Sequence, residues 1–142
     1  MANRQPFTDT PPELHPVLDE LRRLEPIFHS PEFGQSCADY ERRMAPGYWE
    51  VGASGKRYSR EFILESLSGK PPAFASALGW ESCDYALRAL GPETFLLTYA
   101  LSQKDRITRR STVWQNTSEG WRILYHQGTV VTEAADGTFP AK

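Results

Sequence analysis

Three side chains able to do acid–base or anion chemistry fall where strands could bring them together. Glu50 stands in the run Tyr48-Trp49-Glu50-Val51, just ahead of the glycine-bearing residues 52–57. Arg110 and His126 lie in two apolar runs within residues 107–131, on either side of the polar break Asn116-Thr117-Ser118-Glu119-Gly120. A carboxyl at a cavity mouth could act as a base or hold Arg110. Burial would raise its pKa and a nearby guanidinium would lower it. A strand guanidinium can clamp a ligand carboxylate through two parallel hydrogen bonds. It can equally brace Glu50 or Asp84. An imidazole in a pocket suits proton transfer near neutral pH, yet a strand histidine also serves as a satisfied structural residue. His126 is the only histidine in the expected sheet. His15 and His29 fall at a helix start and in a connector, where solvent is the expected neighbour.

Around these, Tyr58, Phe62, Trp80, Tyr99 and Trp114 could line an aromatic pocket for a flat, partly apolar ligand, with Gln127 as a further polar contact. The same rings could simply be core. Other chemistries lack their residues. Cys37 and Cys83 form no CxxC pair or Cys/His cluster, so no metal site is expected and two reduced, partly buried thiols are. Residues 52–57 are too few and wrongly patterned for a phosphate-binding loop. No nucleophilic triad, nucleotide motif or cofactor is indicated. Asn116-x-Ser118 has the form of a glycosylation sequon and is read here as a turn.

The elements that must position these residues are legible in outline. Thr10-x-x-Glu13 has the form of a capping box. Pro16 leaves the start of the first helix open between Pro11 and Pro16. Leu14, Val17, Leu18, Leu21 and Leu24 recur at helical spacing and form one apolar stripe. Asp19, Glu20, Arg22, Arg23 and Glu25 read as the solvated face, and Pro26 should end the helix. Ser36 is positioned to cap a second helix over residues 37–45, stopped by Pro46-Gly47. Tyr48 to Val51 reads as a short strand. Ser59 should cap a third helix over residues 60–68 that buries Phe62, Ile63 and Leu67. Residues 69–76 read as loop. Four strands follow: 80–90, with Cys83, Tyr85, Leu87 and Ala89 on one face; 93–102, with Phe95, Leu97, Tyr99 and Leu101 on one face and a moderately apolar other face, as in a central strand; and the two runs of 107–131. Helices followed by a strand meander make an α+β domain.

The last hairpin carries an ambiguity that decides the site. With an even number of loop residues near 117–120, His126 pairs opposite Ser111 and faces away from Arg110. With an odd number it pairs opposite Thr112, on the face of Arg110 and Trp114. A slip of one residue exchanges the faces, and both loop lengths are common.

Composition bounds the function. A chain of 142 residues with 39% hydrophobic, 12% aromatic and 24% charged residues is globular rather than disordered, and one domain is expected over residues 11–131, between flexible tails at 1–10 and 132–142. Sixteen Lys and Arg against 18 Asp and Glu give a net charge of −2, which argues against nucleic-acid binding. No apolar run is long enough to span a membrane, nor is there an apolar signal core at the N-terminus. A cytoplasmic protein with neither nucleic-acid nor membrane partners is expected.

Residues 48–60, YWEVGASGKRYSR, resemble the segment F-x-E-F-G-x-S-G-R-x-Y of bacterial DUF4440-type proteins. Arg110-Ser111-Thr112-Val113-Trp114 and Trp121-Arg122-Ile123-Leu124-Tyr125-His126-Gln127-Gly128-Thr129 resemble their closing hairpin. That group is part of the NTF2-like, or SnoaL-like, superfamily, and the resemblance spans roughly residues 14–131. It departs where Trp49 and Val51 replace plainer residues and Lys56 precedes the arginine. It implies a cone: a curved antiparallel sheet wrapped around about three helices, with a cavity at the wide end and homodimers formed through the sheet. The superfamily holds isomerases, cyclases, dehydratases and non-enzymatic association domains, so fold alone does not give function. Three readings follow. The cavity binds a small, partly apolar organic molecule, with Arg110 on its polar group. It is a cofactor-free isomerase, cyclase or dehydratase, with Glu50 or His126 moving the proton. Or it is an interaction domain whose cavity is vestigial.

Overall fold

A computed structural model of the chain describes residues 9–132. The expected tails therefore fall almost wholly outside the described residues. Thr10, at the edge of the first tail, is docked: its hydroxyl accepts from the backbone N–H of Leu87 at 3.0 Å. It caps no helix, because the chain enters through a 3-10 turn, Pro12–Leu14, without a side-chain cap.

Helix α1 (His15–Leu24) takes Pro16 in its first turn, where a missing N–H costs nothing. Its stripe points inward as expected. Leu21 and Leu24 are buried, and Leu14, Val17 and Leu18 pack against the same core. Pro26 disfavours a helical conformation at Glu25, which is extended at φ −105°, ψ 152°. Ser36 caps α2 (Cys37–Arg43) by accepting from the N–H of Asp39, and Ser59 caps α3 (Arg60–Leu67) by accepting from that of Phe62. A short helix, α4 (Ala75–Leu78), occupies part of the stretch expected to be loop. It ends on Gly79 at φ 72°, the left-handed position that glycine fills without Cβ strain.

Strand β1 (Met44–Val51) begins where α2 ends, so Pro46-Gly47 lies inside a strand rather than stopping a helix. The β1–β6 register shifts between Met44 and Trp49, and such an irregularity is where a residue without an N–H fits a strand. Strands β2 (Arg57–Ser59), β3 (Glu81–Gly91), β4 (Thr94–Gln103), β5 (Arg106–Thr117) and β6 (Gly120–Val130) complete one sheet in the order β2-β1-β6-β5-β4-β3. Every neighbouring pair is antiparallel except β1 with β6, which is parallel. The architecture is the expected α+β cone, a curved sheet wrapped around helices.

The inner face of the sheet is the core. Phe95, Leu97, Tyr99 and Leu101 of β4 are all buried, with Trp114 and Ile123 beside them and Phe33 against Trp114. One expected face is broken. The β3–β4 register shifts between Cys83 and Ala86, with Asp84 at φ 60°. The bulge sets Cys83 opposite Ala100 on the outer face, while Leu87 stays opposite Leu97 and Tyr85 stacks on Tyr99 at 4.9 Å. Phe62 is also misplaced by sequence. It is 52% exposed and stacks on Tyr58, leaving Ile63 as the buried residue of α3, with Leu64 and Leu67 partly buried against the same core.

Candidate functional site

One rung crosses all six strands on the inner face: Leu87, Leu97, Thr112, His126, Glu50 and Tyr58, each the register partner of the next. Leu87 and Leu97 belong to the core, Thr112 and His126 are buried beside them, and Glu50 and Tyr58 at the far end are half-buried. His126 reaches this face by a route neither loop length provides. The hairpin turn has two residues, Ser118 and Glu119, between the Thr117–Gly120 pair, the even case that alone would set His126 against Ser111. An extra residue in β6, Leu124, shifts the register between Trp114 and Val113, and His126 lands opposite Thr112. A bulge thus re-aims the side chain.

Glu50 is half-buried, and its Oε1 accepts from the Tyr48 hydroxyl at 2.8 Å. Burial raises its pKa above 4.5, while the Tyr48 hydrogen bond and the charge of Arg110 work against that rise. Arg110 sits one rung along, opposite Tyr99 on one side and Gly128 on the other. Its guanidinium donates to Thr108 Oγ1 at 3.0 Å and to Gln103 Oε1 at 3.4 Å. A Cβ on Gly128 would lie 3.9 Å from Arg110 Cζ, at ordinary contact distance, so the guanidinium lies against the strand over this glycine. Among the described residues no carboxylate forms an ion pair with Arg110. Asp84, the other candidate brace, pairs instead with the neighbouring Arg109 at 2.9 Å.

His126 is 2% exposed. Its Nδ1 lies 2.7 Å from Thr112 Oγ1, and its Nε2 is buried without a hydrogen-bond partner among the described residues. Burial, with Arg110 adding to it, lowers its pKa to about 3, so the ring is neutral at any physiological pH.

Beneath this rung lies a residue that sequence reasoning assigned to solvent. Glu25 is 6% exposed. Its carboxylate accepts from the Tyr99 hydroxyl at 2.8 Å, Trp114 Nε1 at 3.1 Å and the Ile27 N–H at 3.1 Å. Burial raises its pKa, and hydrogen bonds from Thr112, Tyr99, Trp114 and Ile27 oppose the rise. Its signal was Pro26. An extended residue before a proline leaves the helix's solvated face, and in this cone it turns into the sheet.

The remaining candidates divide. Tyr58 is half-buried beside Glu50, with Lys56 over its ring at 5.7 Å. Trp80 meets His29 edge-on at 4.8 Å, and His29 is not solvated: its Nδ1 is 2.7 Å from the Ala73 carbonyl, and burial lowers its pKa, with a smaller contribution from Arg110. This pair stands at the Arg110 end of the site. Tyr99 and Trp114 are fully buried with their polar atoms on Glu25, and they serve as core. Phe62 stacks outward on Tyr58. Gln127 pairs with Ser111 and Val51 on the outer face and accepts from the Tyr125 hydroxyl at 2.6 Å, away from Arg110. Among the described residues no group of His, Cys, Asp or Glu could hold a metal ion, and no helix is long and apolar enough to cross a membrane. A surface concavity of about 230 Å³ near Glu32, Asp39, Arg42 and Glu119 holds two ion pairs, Arg42 with Asp39 and Glu119 with Arg122.

No family model matches the chain, and no curated protein matches it. Solved structures do. A protein of unknown function from the DUF3225 family of Pectobacterium atrosepticum superposes with a TM-score of 0.62 at 17% identity, over 87% of this chain and 100% of that one. An NTF2-like protein of Cytophaga hutchinsonii gives 0.59 at 14% identity, over 81% and 95%. The association domain of C. elegans CaMKII gives 0.57 at 12% identity, over 82% and 95%. At these identities the likeness establishes the fold, an NTF2-like, cystatin-like α+β cone.

Proposed function

We propose that the protein binds a small, partly apolar organic anion on the inner face of the cone, with Arg110 holding the anionic group and the Trp80 ring at that end, and with Tyr58 beside Glu50 further across the sheet. The observation that carries this reading is Arg110 itself. It is a half-buried cation on the inner face with no carboxylate in ion-pair contact among the described residues, and such a group is stabilised when a ligand brings the missing charge. The resemblance of residues 48–60 and of the closing hairpin further supports a place in the DUF4440-type, SnoaL-like branch of the fold.

The second reading, cofactor-free acid–base catalysis, is favoured at one residue only. A base works best with a pKa near the working pH. His126, at about 3, is too weak a base, whereas burial moves Glu50 upward, toward that range. A proton-shuttling role therefore falls to Glu50.

The test is calorimetric titration with benzoate and with its neutral counterpart benzamide. Benzoate should bind at least about tenfold tighter, the effect of one charge-assisted contact, and Arg110→Met should erase the difference. Equal affinities, or a preference that survives in Arg110→Met, sinks the reading.

The chain is also proposed to pair with a second copy through the outer face of the sheet. Leu96, Val113, Tyr125 and Trp49 form a continuous apolar rung there, register partner to register partner across four strands. Trp49 at its end is 44% exposed.

A further inference from the structure

The stretch between Gly69 and Gly79 is stiff inside and soft at both ends. Pro71 and Pro72 fix their own φ, and the helical turn α4 follows two residues later. Gly69 and Gly79 bracket it at φ 73° and 72°, and a Cβ on either would meet nothing within 4 Å. Neither glycine makes room for a neighbour. Each supplies a left-handed turn, at the kind of element end where hinges form. Residues 69–73 and 76–79 are exposed. The hold on the fold is narrow. Apart from bonds to its immediate flanks, Leu67 and Trp80, the hydrogen bonds of this stretch to the rest of the described residues both go to His29. His29 Nδ1 donates to the Ala73 carbonyl at 2.7 Å, and the Ala75 N–H donates to the His29 carbonyl at 2.9 Å. A carbonyl oxygen only accepts, so the proton of the first bond sits on Nδ1.

The anchored end of this stretch stands beside the site. Trp80, next after Gly79, packs against the core and meets the His29 ring edge-on at 4.8 Å. The β3–β4 register pairs Glu81 with Ser102, which sets Trp80 at the level of Gln103. Gln103 Oε1 and Thr108 Oγ1 are the oxygens to which the Arg110 guanidinium donates. We propose that residues 70–78 form a lid, hinged at Gly69 and Gly79 and latched on His29, over the end of the cone toward which Arg110 is turned. His29 is a positioning residue: its ring and its carbonyl hold the lid shut. Opening breaks two hydrogen bonds, and rotation at the two glycines carries Pro71 to Leu78 away as one piece while Trp80 stays with the sheet. A segment held by so few contacts opens at far lower cost than global unfolding. The inference rests on the anion-binding reading only for what the opening admits.

Both parts of the proposal can be read without a ligand. Hydrogen exchange followed by mass spectrometry reports the latch. In the wild type the amides of residues 73–78 should exchange together and faster than those of β4. Protection equal to that of β4 overturns the lid, and this arm needs no variant. His29→Leu fills the space but cannot donate, and it should speed these amides by about fivefold or more, the effect of one net hydrogen bond on an opening equilibrium. His29→Asn, whose Nδ2 takes the place of Nδ1, should restore the wild-type rate. Unchanged exchange in His29→Leu overturns the latch. Phenylglyoxal labelling, located by peptide mapping, reports the cover. Arg57, exposed on β2 at the opposite edge of the sheet from β3, is the internal reference. Relative to it, Arg110 should label slowly in the wild type, about fivefold or more faster in His29→Leu, and slowly again in His29→Asn. Arg110 labelling as fast as Arg57 in the wild type, or at one rate in wild type and His29→Leu, overturns the cover. Failure of Arg110 to select benzoate over benzamide would show separately, since neither measurement uses an anion.

Discussion

Glu50 and His126 are register partners across β1 and β6, the one parallel strand pair of the sheet. Their burial moves the two groups in opposite directions, Glu50 up and His126 down to about 3. Both shifts favour the neutral form, as desolvation does. Arg110, one rung away, is the charge on this part of the inner face, and it disfavours a second cation at His126 while partly offsetting the rise at Glu50.

The sign of the His126 shift predicts acid lability. Its folded pKa lies below its unfolded value of 6.5, so the unfolded chain binds the extra proton between the two. Stability contributed by the neutral ring is present above 6.5 and is lost as pH falls toward 3, by up to about 5 kcal/mol over the whole window. Urea unfolding at pH values above and within that window should show a steeper loss for wild type than for His126→Asn, whose amide can still meet Thr112. Glu50 and Glu25 act oppositely. Their raised values make stability fall as pH climbs above 4.5, and the His126 variant should expose that slope. Parallel pH profiles for the two proteins would mean that His126 titrates normally.

Glu25 should be the most costly polar residue to truncate. Glu25→Ala leaves the Trp114 indole, the Tyr99 hydroxyl and the Ile27 amide without an acceptor in a sealed core, at about 1–3 kcal/mol for each unsatisfied group. Glu25→Gln keeps one acceptor oxygen and sheds a buried charge, so it should cost markedly less. Denaturant midpoints rank the two. Equal losses would show that the hydrogen bonds to Glu25 contribute little net stability.

The uneven legibility of the chain has a physical cause. Periodicity reveals which residues share a face as long as the backbone stays regular. It therefore located the α1 stripe, the inner face of β4 and the Ser36 and Ser59 caps. It failed at Asp84 and Leu124, where one inserted residue exchanges faces without changing composition. The Leu124 bulge decides the site, because a regular two-residue hairpin would have sent His126 outward and set Tyr125 opposite Thr112 and Gln127 opposite Arg110. Glu25 was hidden for another reason. A charged residue at the end of an amphipathic helix reads as solvated, and only the conformation that Pro26 imposes moves it inside. Pro46-Gly47 misled in the opposite sense, reading as a helix stop although a strand irregularity accommodates it.

Gly128 predicts a separation of stability from binding. Its added Cβ would stand at ordinary contact distance from Arg110 and Ala53, 3.9–4.0 Å. Gly128→Ala should be tolerated, and can stabilise by about 0.4–1 kcal/mol through the unfolded chain. Gly128→Val pushes its methyls into the space of the guanidinium and should weaken benzoate at least about tenfold, with melting still cooperative. Unaltered benzoate affinity in a folded Gly128→Val would mean that the position of Arg110 does not matter to the ligand.

The outer rung sets the final expectation. Trp49 packs edge-on against Tyr125 at 4.8 Å, yet remains 44% exposed. Leu96 and Val113 extend the apolar strip inward along the rung to β4. A stable pair needs about 800 Å² buried per partner, and a strip crossing four strands spans about 14 Å in the direction across them, enough for the centre of such a contact. Trp49→Arg places a charge at the end of the strip without touching the inner face. Sedimentation velocity should give a dimer for wild type and a monomer for the variant, with benzoate affinity unchanged in the variant if the site is complete within one chain. A wild-type monomer at tens of micromolar, on the order of the concentrations such pairs need, removes the outer face as a self-association surface.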